Sequence, residues 1–145
     1  WNFLKKFFVF WGAQGNNGKS ALMGIMEAMM GELYTSVDEH LFTEKNKSAG
    51  AAAPVINQCI NKLVCVYGET KKAFLNENTI KMITGDDTIA HRMLYGEAGK
   101  VKLHMKLSVL VGNYKPNWSH KNLMAMRIAF FTFNNLFVAK QRSMS

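Results

Sequence analysis

Lys19 and Ser20 end the run Gly12-Ala13-Gln14-Gly15-Asn16-Asn17-Gly18-Lys19-Ser20, where small and polar residues lead into an amine and a hydroxyl. Upstream lies an apolar stretch, Phe7 to Trp11, that reads as a buried strand. Downstream, Ala21 to Met30 has a helical pattern that Gly31 can close. Strand, small-residue loop, Gly-Lys-Ser and helix make a phosphate-binding P-loop. Gly15 and Gly18 let backbone N–H groups curl around phosphate oxygens, and the helix N-terminus adds partial positive charge. Ala13, Gly15, Asn16, Asn17, Gly18, Lys19 and Ser20 are therefore the candidate nucleotide-binding residues. Lys19 would reach the β- and γ-phosphates of a nucleoside triphosphate, and Ser20 would hold Mg²⁺. Strict spacing wants Gly where Ala13 stands, with Gly12 beside it.

A triphosphate site also needs an acid. Leu63 to Tyr67 reads as a buried strand leading through Gly68 to Glu69. An acid emerging at the carboxyl end of such a strand sits where open α/β sheets hold ligands. There Glu69 could orient or deprotonate an attacking water and share in holding Mg²⁺, or simply cap the strand at the surface. A further strand, Ser108 to Gly112, ends in Asn113, which could face a γ-phosphate or serve only as a turn former before Lys115-Pro116. Arg127 precedes the last strand, Ile128 to Phe133. It is either a solvated charge or an arginine finger reaching a neighbouring subunit's γ-phosphate.

These groups must be positioned by a fold. Besides the elements above, Tyr34 to Val37 suggests a short strand, Ala51 to Asn61 a helix entered around Pro54, and Asn76 to Thr84 a helix stopped by Gly85. Ile89 to Tyr95 and Val101 to Leu107 suggest a hairpin with Gly96 to Gly99 at its tip, and Ser108 to Gly112 could continue its second arm. Asn122 to Met126 reads as a short helical turn. Strands alternating with helices imply an α/β fold with a largely parallel sheet.

The 145 residues fit one domain, and 48% apolar with 12% aromatic residues is a globular composition. No apolar run reaches membrane-spanning length, so no membrane partner is expected. Cys59 and Cys65 read as buried apolar residues in a reducing compartment rather than zinc ligands. The start at Trp1 lacks both an initiator Met and signal-peptide features, so the chain reads as an intracellular piece of a longer protein. The net charge of +8 favours a polyanionic partner, with cations gathered at Lys100, Lys102, His104 and Lys106, then Lys115, His120 and Lys121. His40, His91 and His120 have no partners that would make them ligands, and the ten Met residues and Trp118 read as packing.

The order of these parts resembles the ATPase domain of superfamily 3 helicases. It is most similar to the poxvirus-type primase–helicases of nucleocytoplasmic large DNA viruses and their phage and plasmid relatives. The most specific stretch is Lys81-x-x-Thr84-Gly85-Asp86-Asp87-x-Ile89-x-x-Arg92. The resemblance runs from about Phe7 to Phe133 and implies a P-loop NTPase of AAA+/ASCE-like type, its central parallel sheet flanked by helices, with an inserted β-hairpin. It implies Lys19, Glu69, Asn113 and Arg127 as catalytic residues: Walker A lysine, Walker B acid, sensor 1 and a finger acting in trans. Gly68 stands where many relatives carry a second acid. Mg²⁺ would be held by Ser20 and Glu69, with ATP as the nucleotide. The hairpin would track DNA through Lys100, with Lys102 and His104 as further contacts; the alternative for those three is an exposed strand of alternating charge. Asp86, Asp87 and Arg92 would have structural or interface roles.

By this resemblance the chain is an ATP-dependent DNA helicase motor that translocates on single-stranded DNA at a replication fork. It would work as a homo-oligomeric ring, a hexamer, with ATP at subunit interfaces, in host cytoplasm or a viral replication factory. Two alternatives remain open: a P-loop ATPase for packaging or remodelling, and a non-catalytic DNA-binding oligomerisation module.

Overall fold

The computed structural model describes residues 5–37, 53–68, 75–85, 88–92, 98–118 and 124–138. Five parallel strands form the main sheet: β1 (Phe7–Trp11), β2 (Tyr34–Val37), β3 (Val64–Tyr67), β6 (Leu107–Gly112) and β7 (Ile128–Thr132). Their order is β2-β3-β6-β1-β7. Among the described residues, the α-helices α1 (Lys19–Met30), α2 (Ala53–Cys59) and α3 (Glu77–Thr84) and a short 3-10 turn at Gly31–Leu33 connect or cover them. A separate antiparallel pair joins β4 (Thr88–Arg92) to β5 (Ala98–Lys102).

Period-two alternation explains the layering. In β1, Phe7 and Val9 face one core cluster with Ile56 of α2 and Ile80 and Ile83 of α3. Phe8 and Phe10 face the other, with Met23, Met26 and Met30 of α1. Successive strand side chains point to opposite faces, so a strand covered by helices on both sides must be apolar throughout, as Phe-Phe-Val-Phe-Trp is. The spacing of Met23, Met26 and Met30 puts three flexible thioethers on one helical face against the sheet.

The helix ends follow local chemistry. Gly31 closes α1 at φ +50°, and its N–H bonds to the Glu27 carbonyl. Asn76 caps α3 by accepting from the Thr79 N–H at 3.2 Å. Helix α1 begins at Lys19, two residues before the periodic pattern, and α2 ends at Cys59, two residues before Asn61.

The hairpin differs from expectation. Its second arm is Ala98–Lys102, with Gly99 paired to His91 rather than sitting at a tip. It does not continue into β6: after Lys102 the chain leaves the hairpin, burying Leu103 and Met105 on its way to the main sheet. The last strand lies at the sheet's edge, leaving Phe131 48% exposed.

Candidate nucleotide-binding site

Because all five strands are parallel, their carboxyl ends share one edge of the sheet, where α/β folds hold ligands. Strand β1 delivers the Gly12–Gly18 loop there, directly before α1. Gly18 adopts φ +89° and Asn16 φ +52°, two left-handed positions that curl the loop into the helix N-terminus.

Lys19 organises the loop from within. It is only 6% exposed, and its Nζ donates to Asn17 Oδ1 at 2.8 Å, Asn113 Oδ1 at 3.0 Å and the Gly12 carbonyl at 3.4 Å. Asn17 is equally buried, and its Nδ2 donates to the Gln14 carbonyl at 2.6 Å and the Phe133 carbonyl at 3.5 Å. Its side chain thus braces the loop. Asn113 follows β6 directly, its carbonyl accepting from Trp11 Nε1 at 3.1 Å. Neighbouring strands β1 and β6 thereby bring together two residues far apart in sequence.

A cavity of about 590 Å³ opens at this point, lined by Asn16 to Ala21 and by Phe137. Ser20 stands exposed at its wall, and a hydroxyl there suits the oxygen coordination of Mg²⁺. Ala13 and Gly15 are exposed and lie outside the lining. Phe137 has no counterpart in the motif. It arrives on a strap, Phe133 to Val138, that crosses back from β7. The Phe133 N–H bonds to the Trp11 carbonyl at 2.7 Å, and the Phe137 N–H to the Asn16 carbonyl at 2.8 Å. No sequence spacing announces this residue.

Glu69, Asp86, Asp87, His40 and His120 lie outside the described residues, as does the hairpin tip from 93 to 97. Strand β3, which leads to Glu69, does end at the same sheet edge as β1 and β6. Among the described residues no group of three His, Cys, Asp or Glu could hold a metal ion. None of the described helices is long and apolar enough to cross a membrane.

Arg127 sits at the opposite edge. It precedes Ile128, which pairs with Phe7 at the start of β1. The length of β1 separates it from the loop, on the order of 15 Å at strand rise. Its Nη1 donates to Thr84 Oγ1 at 2.9 Å, and that hydroxyl donates to the Ile80 carbonyl at 2.7 Å. The fold therefore does not bring Arg127 to the Lys19 of its own chain. Of the hairpin cations, Lys100 is exposed and Lys102 half-buried on the same face of β5. His104 is exposed but lies past the end of that strand, which corrects its place in the second arm.

Away from the site, Cys59 and Cys65 are buried free thiols in the first core cluster. Contact with Cys59, together with burial, pushes the Cys65 thiol far above its ordinary range. Trp118 packs against the same cluster.

A protein of Acanthamoeba polyphaga mimivirus named "Putative helicase L207/L206" is 37% identical over 97 residues, 66% of this chain and 10% of that protein. "Putative helicase 022R" of Frog virus 3 (isolate Goorha) is 30% identical over 103 residues, 70% of this chain and 10% of that protein. The chain is similar to viral helicase-like proteins. It spans about a tenth of the length of these curated relatives. No protein-family model matches it. Its fold is shared with the apo A form of the NrS-1 C-terminal region, with a TM-score of 0.68 at 15% identity over 98% of this chain and 32% of that one. A second structure of that region, spanning 305–718, gives 0.63 at 16% identity over 92% of this chain and 30% of the other.

Proposed function

We propose that this chain is the ATP-hydrolysing motor segment of a superfamily 3 DNA helicase that translocates on single-stranded DNA during viral or mobile-element replication. The observation that carries the reading is the Lys19–Asn113 contact at 3.0 Å beneath the cavity, made within a loop of left-handed Asn16 and Gly18. A catalytic lysine held by loop and sensor acceptors is set to exchange those neutral oxygens for charged phosphate oxygens. Charge-assisted hydrogen bonds are roughly twice as strong as neutral ones, which favours that exchange. The positive end of α1 points at the same place. Helicase-named viral relatives support the wider assignment.

In this reading Lys19 holds the β- and γ-phosphates and Asn113 positions the γ-phosphate or its attacking water. Ser20 and Glu69 would hold Mg²⁺, which when bound would neutralise the charge developing on the phosphates. Glu69 would accept the proton of the attacking water. Arg127, directed away from its own loop, would stabilise transition-state charge in the next subunit of a homo-oligomeric ring, taken as a hexamer. Lys100 and Lys102 would follow the DNA backbone, a contact that is salt-sensitive and indifferent to base sequence.

The test is ATP turnover by the longer protein containing this segment, with and without single-stranded DNA, beside a Lys19→Ala control. Lys19-dependent turnover that rises with DNA is the expected result. Turnover indifferent to DNA would indicate a packaging or remodelling ATPase instead. Salt-dependent DNA binding with no nucleotide binding would indicate a non-catalytic module.

A further inference from the structure

We infer that Phe137 is the nucleobase platform of the cavity, so that the strap from Phe133 to Val138 supplies the half of the nucleotide site that the Gly-Lys-Ser loop does not. This rests on reading the cavity as a nucleoside-triphosphate site. Lys19, the Ser20 hydroxyl and the backbone N–H groups of residues 16 to 18 are polar or charged groups that suit the phosphates and their metal ion, and none of them gives an aromatic base a face to stack on.

Three observations single out Phe137. It lines the cavity from a segment more than a hundred residues away from the loop. The residue is 63% exposed, so its side chain is open to a ligand in the cavity. It is also held in place: its own N–H bonds to the Asn16 carbonyl at 2.8 Å, and its Cε2 lies 3.3 Å from where a side chain on Gly18 would begin. The ring therefore stands beside the phosphate-cradling turn on a backbone tied to that turn. A base stacked on an aromatic face is retained by its π-surface rather than its edges, and losing such a face by truncation to alanine weakens binding by roughly 5- to 150-fold. A fixed ring loses little conformational freedom when the base arrives.

The experiment compares ATP with inorganic tripolyphosphate, which has the phosphates without a base, by calorimetric titration of wild type, Phe137→Ala and Phe137→Trp. We expect Phe137→Ala to weaken ATP by about tenfold and to leave tripolyphosphate unchanged, which also reports that the loop is still folded. Phe137→Trp should keep ATP affinity, and its added indole fluorescence should be quenched by ATP but not by tripolyphosphate. Equal ATP affinity in wild type and Phe137→Ala would overturn the inference. So would tighter ATP binding in that variant, because the ring would then be a plug. If wild type binds neither compound, the cavity reading itself fails and the inference goes with it. Wild-type binding of both, with no effect at position 137, would fail the inference alone.

Discussion

Gly12, not a glycine of the motif proper, should be the least replaceable residue of the loop. A Cβ built on it would overlap the Asn17 amide nitrogen and come within 2.7 Å of the Phe133 carbonyl oxygen. That oxygen cannot retreat easily, because the Phe133 N–H is fixed to the Trp11 carbonyl at 2.7 Å. Asn17 must therefore move. Moving it releases its bonds to the Gln14 carbonyl and to Lys19. Overpacking a close-packed site costs about 1–3 kcal/mol. A neutral hydrogen bond adds about 1 kcal/mol and one to a charged group about 1.5–3 kcal/mol. Allowing for relaxation, Gly12→Ala should lose about 3 kcal/mol, which for a domain of this size lowers Tm by roughly 6–12 °C. The displaced brace should also cost ATP binding about tenfold, since Asn17 no longer fixes the loop that curls around the phosphates. Gly15→Ala is the internal control. No atom lies within 4 Å of its added Cβ, and Gly15 is not among the left-handed glycines, so its stability should change by less than about 0.5 kcal/mol. Thermal denaturation followed by circular dichroism, with ATP titration of each variant, decides the matter. A Gly12→Ala protein that melts with wild type and binds ATP normally would refute the packing argument.

Other outcomes follow from the same geometry. Arg127→Ala removes one charge-assisted bond to Thr84, whose hydroxyl keeps its bond to Ile80, so stability should fall by about 1.5–3 kcal/mol. ATP binding should persist in that variant while turnover of the assembled protein is lost; mixing with wild type reads the effect across subunits, and loss of ATP binding would contradict the trans role. Lys100→Ala should lower the slope of log affinity for DNA against log salt by about 1 without changing sequence preference, as filter binding over a salt series would show. An unchanged slope would take Lys100 out of the DNA path. Cys59 and Cys65, at 1% and 0% exposure and with the Cys65 thiol held protonated, should resist iodoacetamide at pH 8 until denaturant is added. Rapid labelling of the native protein, read by mass spectrometry, would show that this core opens.

The sequence pattern found most of the sheet because these strands are buried on both faces and therefore announce themselves as apolar runs. It misread the hairpin's second arm for a physical reason. Val101, Leu103 and Met105 alternate as a strand would, but Leu103 and Met105 are buried by the path between two sheets and not by strand pairing. Alternation reports which side chains are covered, not which backbones are bonded. Within the loop, the sequence points to Gly15 and Gly18 as the places where the backbone curls; the left-handed positions are Asn16 and Gly18, not Gly15, and close approach falls on Gly12. That distinction depends on Phe133 and Phe137, which reach the loop from β7. Asn113 was ambiguous for a similar reason: a turn-forming asparagine and one facing Lys19 look alike until β6 is seen beside β1.

The strand order also governs how the chain reaches its shape. Strand β1 has no sheet partner close by in sequence: Phe7 pairs with Ser108 and Ile128, so one bonded edge waits roughly a hundred residues and the other longer. At a synthesis rate of roughly 5–20 residues per second, Phe-Phe-Val-Phe-Trp would spend roughly 5–20 seconds or more outside the ribosome before either edge is paired. It is a short, uncharged, β-prone segment of the kind that self-associates while unpaired. The loop matures later still, because the Phe133 carbonyl that receives Asn17 is made only after β7.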